Sequence, residues 1–205
     1  MTVVCLHGLG RTPSDWDGVR SGLERFGSVH APRLPRDPAA ALAVASAAVE
    51  PGDVVIGHSM GGVLARQLER QREPRALILT SCFFPPARNG RGLGATLADY
   101  AAHRVAFVRA ARSGPSGGSA RALASLARLA AQPGRLHVEL DSVVVIHARD
   151  DHHVPIDFAL AAAARQGWAV TVLDRGGHHP HVDDPERWLA AAVPWLEDAF
   201  RQPAG

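Results

Sequence analysis

Residues 54–64 read Val-Val-Ile-Gly-His-Ser-Met-Gly-Gly-Val-Leu. A β-branched run, then Gly57-x-Ser59-x-Gly61, then the start of an apolar helical pattern, confines this stretch to a strand, a very tight turn and a helix. In such a turn the serine takes a strained backbone so that its Oγ stands clear of the sheet. Glycines two residues to either side remove the Cβ atoms that would otherwise collide there. The helix N-terminus directly behind favours negative charge developing beside the serine. Ser59 is therefore the candidate nucleophile; the plainer alternative is a glycine-rich turn whose serine only caps a helix.

The rest of the chain alternates in the same way. Strands are expected at 2–6, 28–31, 53–57, 75–82, 142–148 and 169–173. Helices are expected at 14–25, 39–49, 61–72, 156–166 and 185–201. Short β-branched runs alternating with Ala/Leu-rich helical stretches predict an α/β domain with a mostly parallel sheet of about six strands flanked by helices. The rhythm breaks at 83–136, where Phe-Phe-Pro-Pro and a Gly/Arg-rich stretch precede two helical patterns. This segment reads as a small helical cap inserted in a single domain spanning 1–205. A chain of 205 residues suits one sizeable core rather than two.

A serine hydroxyl is a weak nucleophile and needs a base within hydrogen-bond reach. His178 follows the last expected strand in Gly176-Gly177-His178-His179-Pro180-His181. It lies at the carboxyl end of a strand, the sheet edge where Ser59 also emerges. His178 is the chosen base and His181 the second choice. The acid that orients the imidazole should come from Asp150 or Asp151, at the carboxyl end of strand 142–148. The end of the preceding strand offers only Thr80-Ser81-Cys82 and no carboxylate. Backbone N–H groups for an oxyanion are expected from Met60, after the nucleophile, and from Leu9 in the turn His7-Gly8-Leu9-Gly10. His58, Trp16 and Cys82 are candidate pocket residues, although Trp16 also suits packing of the 7–10 turn and Cys82 also reads as a buried thiol.

Several classes are excluded or disfavoured. Gly-x-Gly-x-x-Gly and Gly-Lys-Ser/Thr are absent, so no dinucleotide or P-loop cofactor is expected. The histidines and aspartates of 150–153 and 178–184 lack a His-Glu-x-x-His or Cys-x-x-Cys spacing, so no metal is expected. All 22 basic residues are arginine and the net charge is only +2, which gives no nucleic-acid signature. No apolar run is long enough for a membrane span. With no leader-like N-terminus and only Cys5 and Cys82, read as buried free thiols, a cytoplasmic location is expected.

Taken together, the motifs resemble the α/β-hydrolase family. His7-Gly8-Leu9-Gly10 with Trp16 six residues on is similar to its oxyanion loop, and Gly57-His58-Ser59-Met60-Gly61-Gly62 to its nucleophile elbow. Arg149-Asp150-Asp151-His152-His153-Val154-Pro155 resembles its acid segment, where the aspartate lies three residues before Val-Pro. That resemblance implies Asp151 rather than Asp150. Gly177-His178-His179-Pro180-His181 resembles its histidine loop, which implies His178. The order Ser59, Asp151, His178 is that of the fold. Ala148 departs from the usual glycine, and the family's first antiparallel hairpin is expected to be missing, leaving a compact member.

The resemblance implies acyl transfer through a covalent Ser59 intermediate on an ester or thioester, by an esterase, thioesterase or acyltransferase. Between 83 and 136 there are eight arginines against the one acid Asp99. That is +7 in a chain of net +2, so the remainder carries −5. Such a basic rim suits a phosphate-bearing donor, for example a coenzyme A or acyl-carrier-protein thioester; coding bias toward arginine is the competing explanation. Two other classes stay open. A lyase, cyclase or cofactor-free haloperoxidase would show little ester turnover, and a non-catalytic binding protein would not react with a serine-directed probe.

Overall fold

The structure is a computed structural model that describes residues 1–82, 125–126, 129 and 142–201. Six strands form one sheet: β1 (Thr2–Leu6), β2 (Ser28–His30), β3 (Val54–His58), β4 (Ala76–Thr80), β5 (Val143–Ala148) and β6 (Ala169–Leu173). Their order is β2-β1-β3-β4-β5-β6, and every pairing is parallel. The four central strands are almost wholly buried because helices cover both faces, which is why they read as unbroken apolar runs rather than alternating ones. Among the described residues the numbered helices are α1 (Asp17–Leu23), α2 (Pro38–Ala48), α3 (Met60–Arg72), α4 (Ile156–Gln166), α5 (Pro180–Asp183) and α6 (Pro185–Arg201).

Two apolar clusters lie on opposite sides of the sheet. On one side α2, α3 and α4 contribute Ala41, Ala45, Leu64, Leu68, Ala159 and Ala163 against Val4, Val55, Leu77 and Val145. On the other, α1 and α6 contribute Val19, Leu23, Trp188, Ala192 and Leu196 against Val3, Ile56, Ile78 and Ile146. The alternate residues of each strand thus feed alternate clusters. Most of the expected 83–136 cap lies outside the described residues. Leu126 is buried against the first cluster, and Gln67 Nε2 donates to the Leu129 carbonyl at 2.9 Å.

Two local differences from the sequence expectation have plain causes. The helix expected from Ser14 begins as a 3-10 turn, Pro13–Trp16, and becomes α-helical at Asp17. Within it Gly18 and Gly22, poor helix formers, sit close to Pro185 and Leu189, so packing against α6 rather than propensity supports it. Helix α5 was not expected, because four residues are too few to display a period. Its proline start and its packing onto α6 place it at the end of the histidine loop.

Candidate active site

Ser59 joins β3 to α3 with φ 51° and ψ −112°, a conformation that costs a non-glycine residue free energy and holds its side chain out of the turn. Two neighbours make the turn feasible. A Cβ on Gly57 would strike Gly61 and Gly62, and one on Gly61 would strike the carbonyl oxygen of Leu6 on β1. Ser59 N–H donates to the Thr80 carbonyl at 2.9 Å, tying the turn to the end of β4. The sheet register therefore determines where Ser59 Oγ stands.

His178 and Asp151 meet it there. His178 Nε2 lies 3.2 Å from Ser59 Oγ, and His178 Nδ1 lies 2.9 Å from Asp151 Oδ2. A carboxylate only accepts, so Nδ1 carries the proton and donates it, leaving Nε2 free to accept from the hydroxyl. Asp151 is 4% exposed. Burial alone would raise its carboxyl pKa, but donors from His147 and His178, and the Val154 N–H, outweigh that and hold it well below the usual carboxylate range. Its other oxygen accepts the N–H groups of His153 at 2.8 Å and Val154 at 2.9 Å. An ionised carboxylate is thus fixed facing the imidazole.

The neighbouring candidates separate cleanly. Asp150 is exposed and accepts the Gly177 N–H at 2.8 Å, bracing the histidine loop from outside, and that bond chiefly lowers its pKa. His181 is fully buried and stacks on Trp16 at 4.3 Å between ring centroids. Burial above all, then neighbouring charges, pushes the His181 pKa down to about 3. His179 is pushed down to about 4, again mainly by burial. His153 stacks on His178 at 4.9 Å. His58, Trp16 and Cys82, the candidate pocket residues, are all completely buried. Trp16 belongs to the α1/α6 core, and Cys82 packs against Gly62 beneath the turn, with burial raising its thiol pKa.

Leu9 lies in a turn closed by Arg11 N–H donating to Gly8 O at 3.2 Å, with Gly10 at φ 71°. Buried His7 clamps this turn: Nδ1–H donates to Gly8 O at 2.9 Å, and Nε2 accepts the Leu34 N–H at 2.9 Å. Arg11 adds a two-pronged ion pair to Asp15, at 2.7 and 2.9 Å. Three histidines therefore support the site in ways the sequence did not reveal. His7 holds the 8–11 turn and His58 reaches the backbone of His178. His147 Nε2 donates to the Val154 carbonyl at 2.8 Å, with Asp151 Oδ2 at 3.4 Å. Their signal was present only as histidine at strand ends, and a strand pattern does not tell what a ring nitrogen will meet.

Among the described residues two groups bring metal-ligand atoms within 4.8 Å of one another, His58/His178/His179 and Asp151/His153/His178. Both use His178, and an ion there would compete with the bonds to Ser59 and Asp151. Among the described residues no helix is long and apolar enough to cross a membrane.

A parallel sheet with a strained serine turn at one strand end and a histidine and an aspartate converging on it defines the class of fold. The sequence matches the profile described as the Alpha/beta hydrolase family over residues 3–192, and the chain belongs to that family. Among solved structures it is similar to a thermophilic esterase from Thermogutta terrifontis in its malate-bound form. That match has 19% identity and a TM-score of 0.64, covering 98% of this chain and 90% of the other. Polyneuridine aldehyde esterase is similar at 14% identity and a TM-score of 0.68, over 94% of this chain and 98% of that one. So is 2-hydroxy-6-oxo-6-phenylhexa-2,4-dienoate hydrolase from Rhodococcus sp. strain RHA1, at 22% identity and a TM-score of 0.60, over 98% and 90%. A search of curated proteins finds no match.

Proposed function

We propose that this protein is a serine hydrolase that cleaves an ester or thioester through a Ser59–His178–Asp151 triad. The observation that carries the reading is the continuous hydrogen-bonded series, 2.9 Å from Asp151 to His178 and 3.2 Å from His178 to Ser59, ending on a strained serine. Ser59 Oγ attacks the acyl carbonyl carbon while its proton passes to His178 Nε2. The oxyanion is received by the backbone N–H groups of Leu9 and Met60, each worth roughly 3 kcal/mol in the transition state. Collapse expels the alcohol or thiol, which takes the proton from His178. Water, or another nucleophile in an acyltransferase, then gives its proton to His178 as it attacks the acyl-enzyme carbonyl. The Ser59 Oγ–acyl bond breaks, His178 returns that proton to Oγ, and the acid or transferred acyl product leaves.

The arginine-rich 83–136 segment favours an anionic acyl donor, such as a coenzyme A or carrier-protein thioester. Turnover of a p-nitrophenyl ester and of an acyl-CoA by the wild type and by Ser59→Ala tests the reading, with and without an alcohol, amine or thiol acceptor. The expected outcome is turnover that Ser59→Ala abolishes, with a higher kcat/KM for the acyl-CoA that falls as salt rises. Equal turnover by Ser59→Ala would overturn the triad. A kcat/KM for acyl-CoA indifferent to salt would overturn the anionic donor.

A further inference from the structure

Asp151 and Ser59 grip the ring of His178, and a different side chain grips its backbone. His58 is the last residue of β3, directly before the nucleophile, and is completely buried. Its Nε2 lies 2.8 Å from the His178 carbonyl oxygen, 120 residues along the chain. A carbonyl only accepts, so the His58 ring carries its proton on Nε2 and donates. On the other edge Nδ1 faces the 8–11 turn, where a Cβ on Gly8 would come within 2.9 Å of it, so glycine at that position makes room for the ring. The ring also packs on those of His178, His179 and His181, with centroids at 5.1, 5.0 and 4.7 Å. One side chain therefore touches all the segments of the proposed site except the acid turn. Burial, with the neighbouring histidines, keeps its proton affinity well below the ordinary range, so it stays a neutral donor.

We propose, resting on the reading of Ser59 as nucleophile and His178 as base, that His58 is a positioning residue. Its Nε2–H···O=C bond sets the backbone of His178 relative to the serine turn and thereby the 3.2 Å gap between His178 Nε2 and Ser59 Oγ. Because the donor belongs to the residue adjacent to the nucleophile, base and nucleophile shift together when the turn moves. A packing role would need only a flat ring of this size, whereas a positioning role needs the N–H.

Three measurements on the full chain separate these. First, nitrogen-15 NMR of the wild type at neutral pH should show His58 neutral with the proton on Nε2; the opposite tautomer, or a protonated ring, overturns the proposal. Second, His58→Phe keeps the flat ring and removes the donor, and kcat should fall on the order of 10- to 100-fold with KM changed by less than about 3-fold, the signature of a misplaced base. A wild-type kcat in His58→Phe overturns the proposal. Third, His58→Gln returns an N–H donor at similar reach and should recover most of that loss; if folded Gln is as slow as Phe, the hydrogen bond is not what matters. Should His58→Phe fail to fold, the tautomer and the Gln variant decide, with folded Gln more than about tenfold below wild type overturning the proposal. The tautomer measurement requires no turnover, so collapse of the Ser59 reading, seen as full activity in Ser59→Ala, is distinguishable from collapse of this one.

Discussion

Asp151→Asn is the substitution whose consequence follows most directly from the geometry. Asp151 Oδ1 accepts the N–H groups of His153 and Val154 at 2.8 and 2.9 Å, and these donors still require an acceptor after the change. The asparagine oxygen must therefore stay there, which turns its NH2 group toward His178 Nδ1. That nitrogen, now facing a donor, has to accept, and the imidazole proton moves to Nε2. His178 then donates toward Ser59 instead of accepting from it, and the base is lost. The charge is lost as well. At the 2.9 Å separation found here, a carboxylate stabilises an adjacent imidazolium by about 6 kcal/mol with an effective dielectric constant of about 20. At about 1.36 kcal/mol per tenfold in rate, that corresponds to roughly 10⁴ in kcat, the size seen when the wrong tautomer is enforced in serine triads. Steady-state kinetics on a p-nitrophenyl ester should show this loss with the fold intact by circular dichroism. Asp150→Asn, which touches only the Gly177 N–H from the exposed side, should lose less than about tenfold. Asp151→Asn with more than a tenth of wild-type activity, or Asp150→Asn falling as far, would mean that Asp151 does not orient His178.

Stability should fall with acid well above the carboxylate range. His58, His179 and His181 are held neutral in the fold, mainly by burial, the last two at about 4 and about 3. Unfolded, each protonates near pH 6.5, so between there and its folded value the unfolded chain binds the extra proton. Stability then declines as pH falls through that window by up to about 1.4 kcal/mol per pH unit per group. Urea unfolding near pH 7 and pH 5 should show that slope, flattened in His181→Phe; an unchanged slope in that variant counts against it. Gly61→Ala drives a Cβ into the Leu6 carbonyl, where backbone cannot yield, and should cost about 3 kcal/mol or more by urea unfolding. Marginal loss there would mean the turn can relax. His147→Phe leaves the buried Val154 carbonyl without its donor and should destabilise by about 1–3 kcal/mol, with a fall in kcat. Unchanged stability and kcat would remove His147 from the account.

The elements with strong local signals were legible down to the residue. Helix 156–166 ends at Gly167, whose φ of 72° only glycine adopts freely, and strand 169–173 and helix 185–201 appear as the sequence indicated. The turn at Ser59 was legible for the same reason, since its glycine-flanked motif lies within five residues, although the Leu6 and Thr80 carbonyls that brace it come from other strands. Asp150 and Asp151 could be told apart only through resemblance. Both sit on one turn, and their roles diverge through contacts with a loop 27 residues away. His7, His58 and His147 were illegible as supports, because each acts through ring nitrogens on backbone groups, most of which the fold rather than the local pattern brings near. His58, a candidate pocket residue on sequence grounds, is completely buried.

The proposed chemistry depends on Ser59 being a nucleophile activated by His178. A fluorophosphonate probe, followed by peptide mass spectrometry of the full chain, reads it without knowledge of the substrate. One adduct per molecule is expected, on Ser59, formed at least about 100-fold more slowly in His178→Ala. Labelling at another residue, or equal labelling rates in the wild type and His178→Ala, would contradict it.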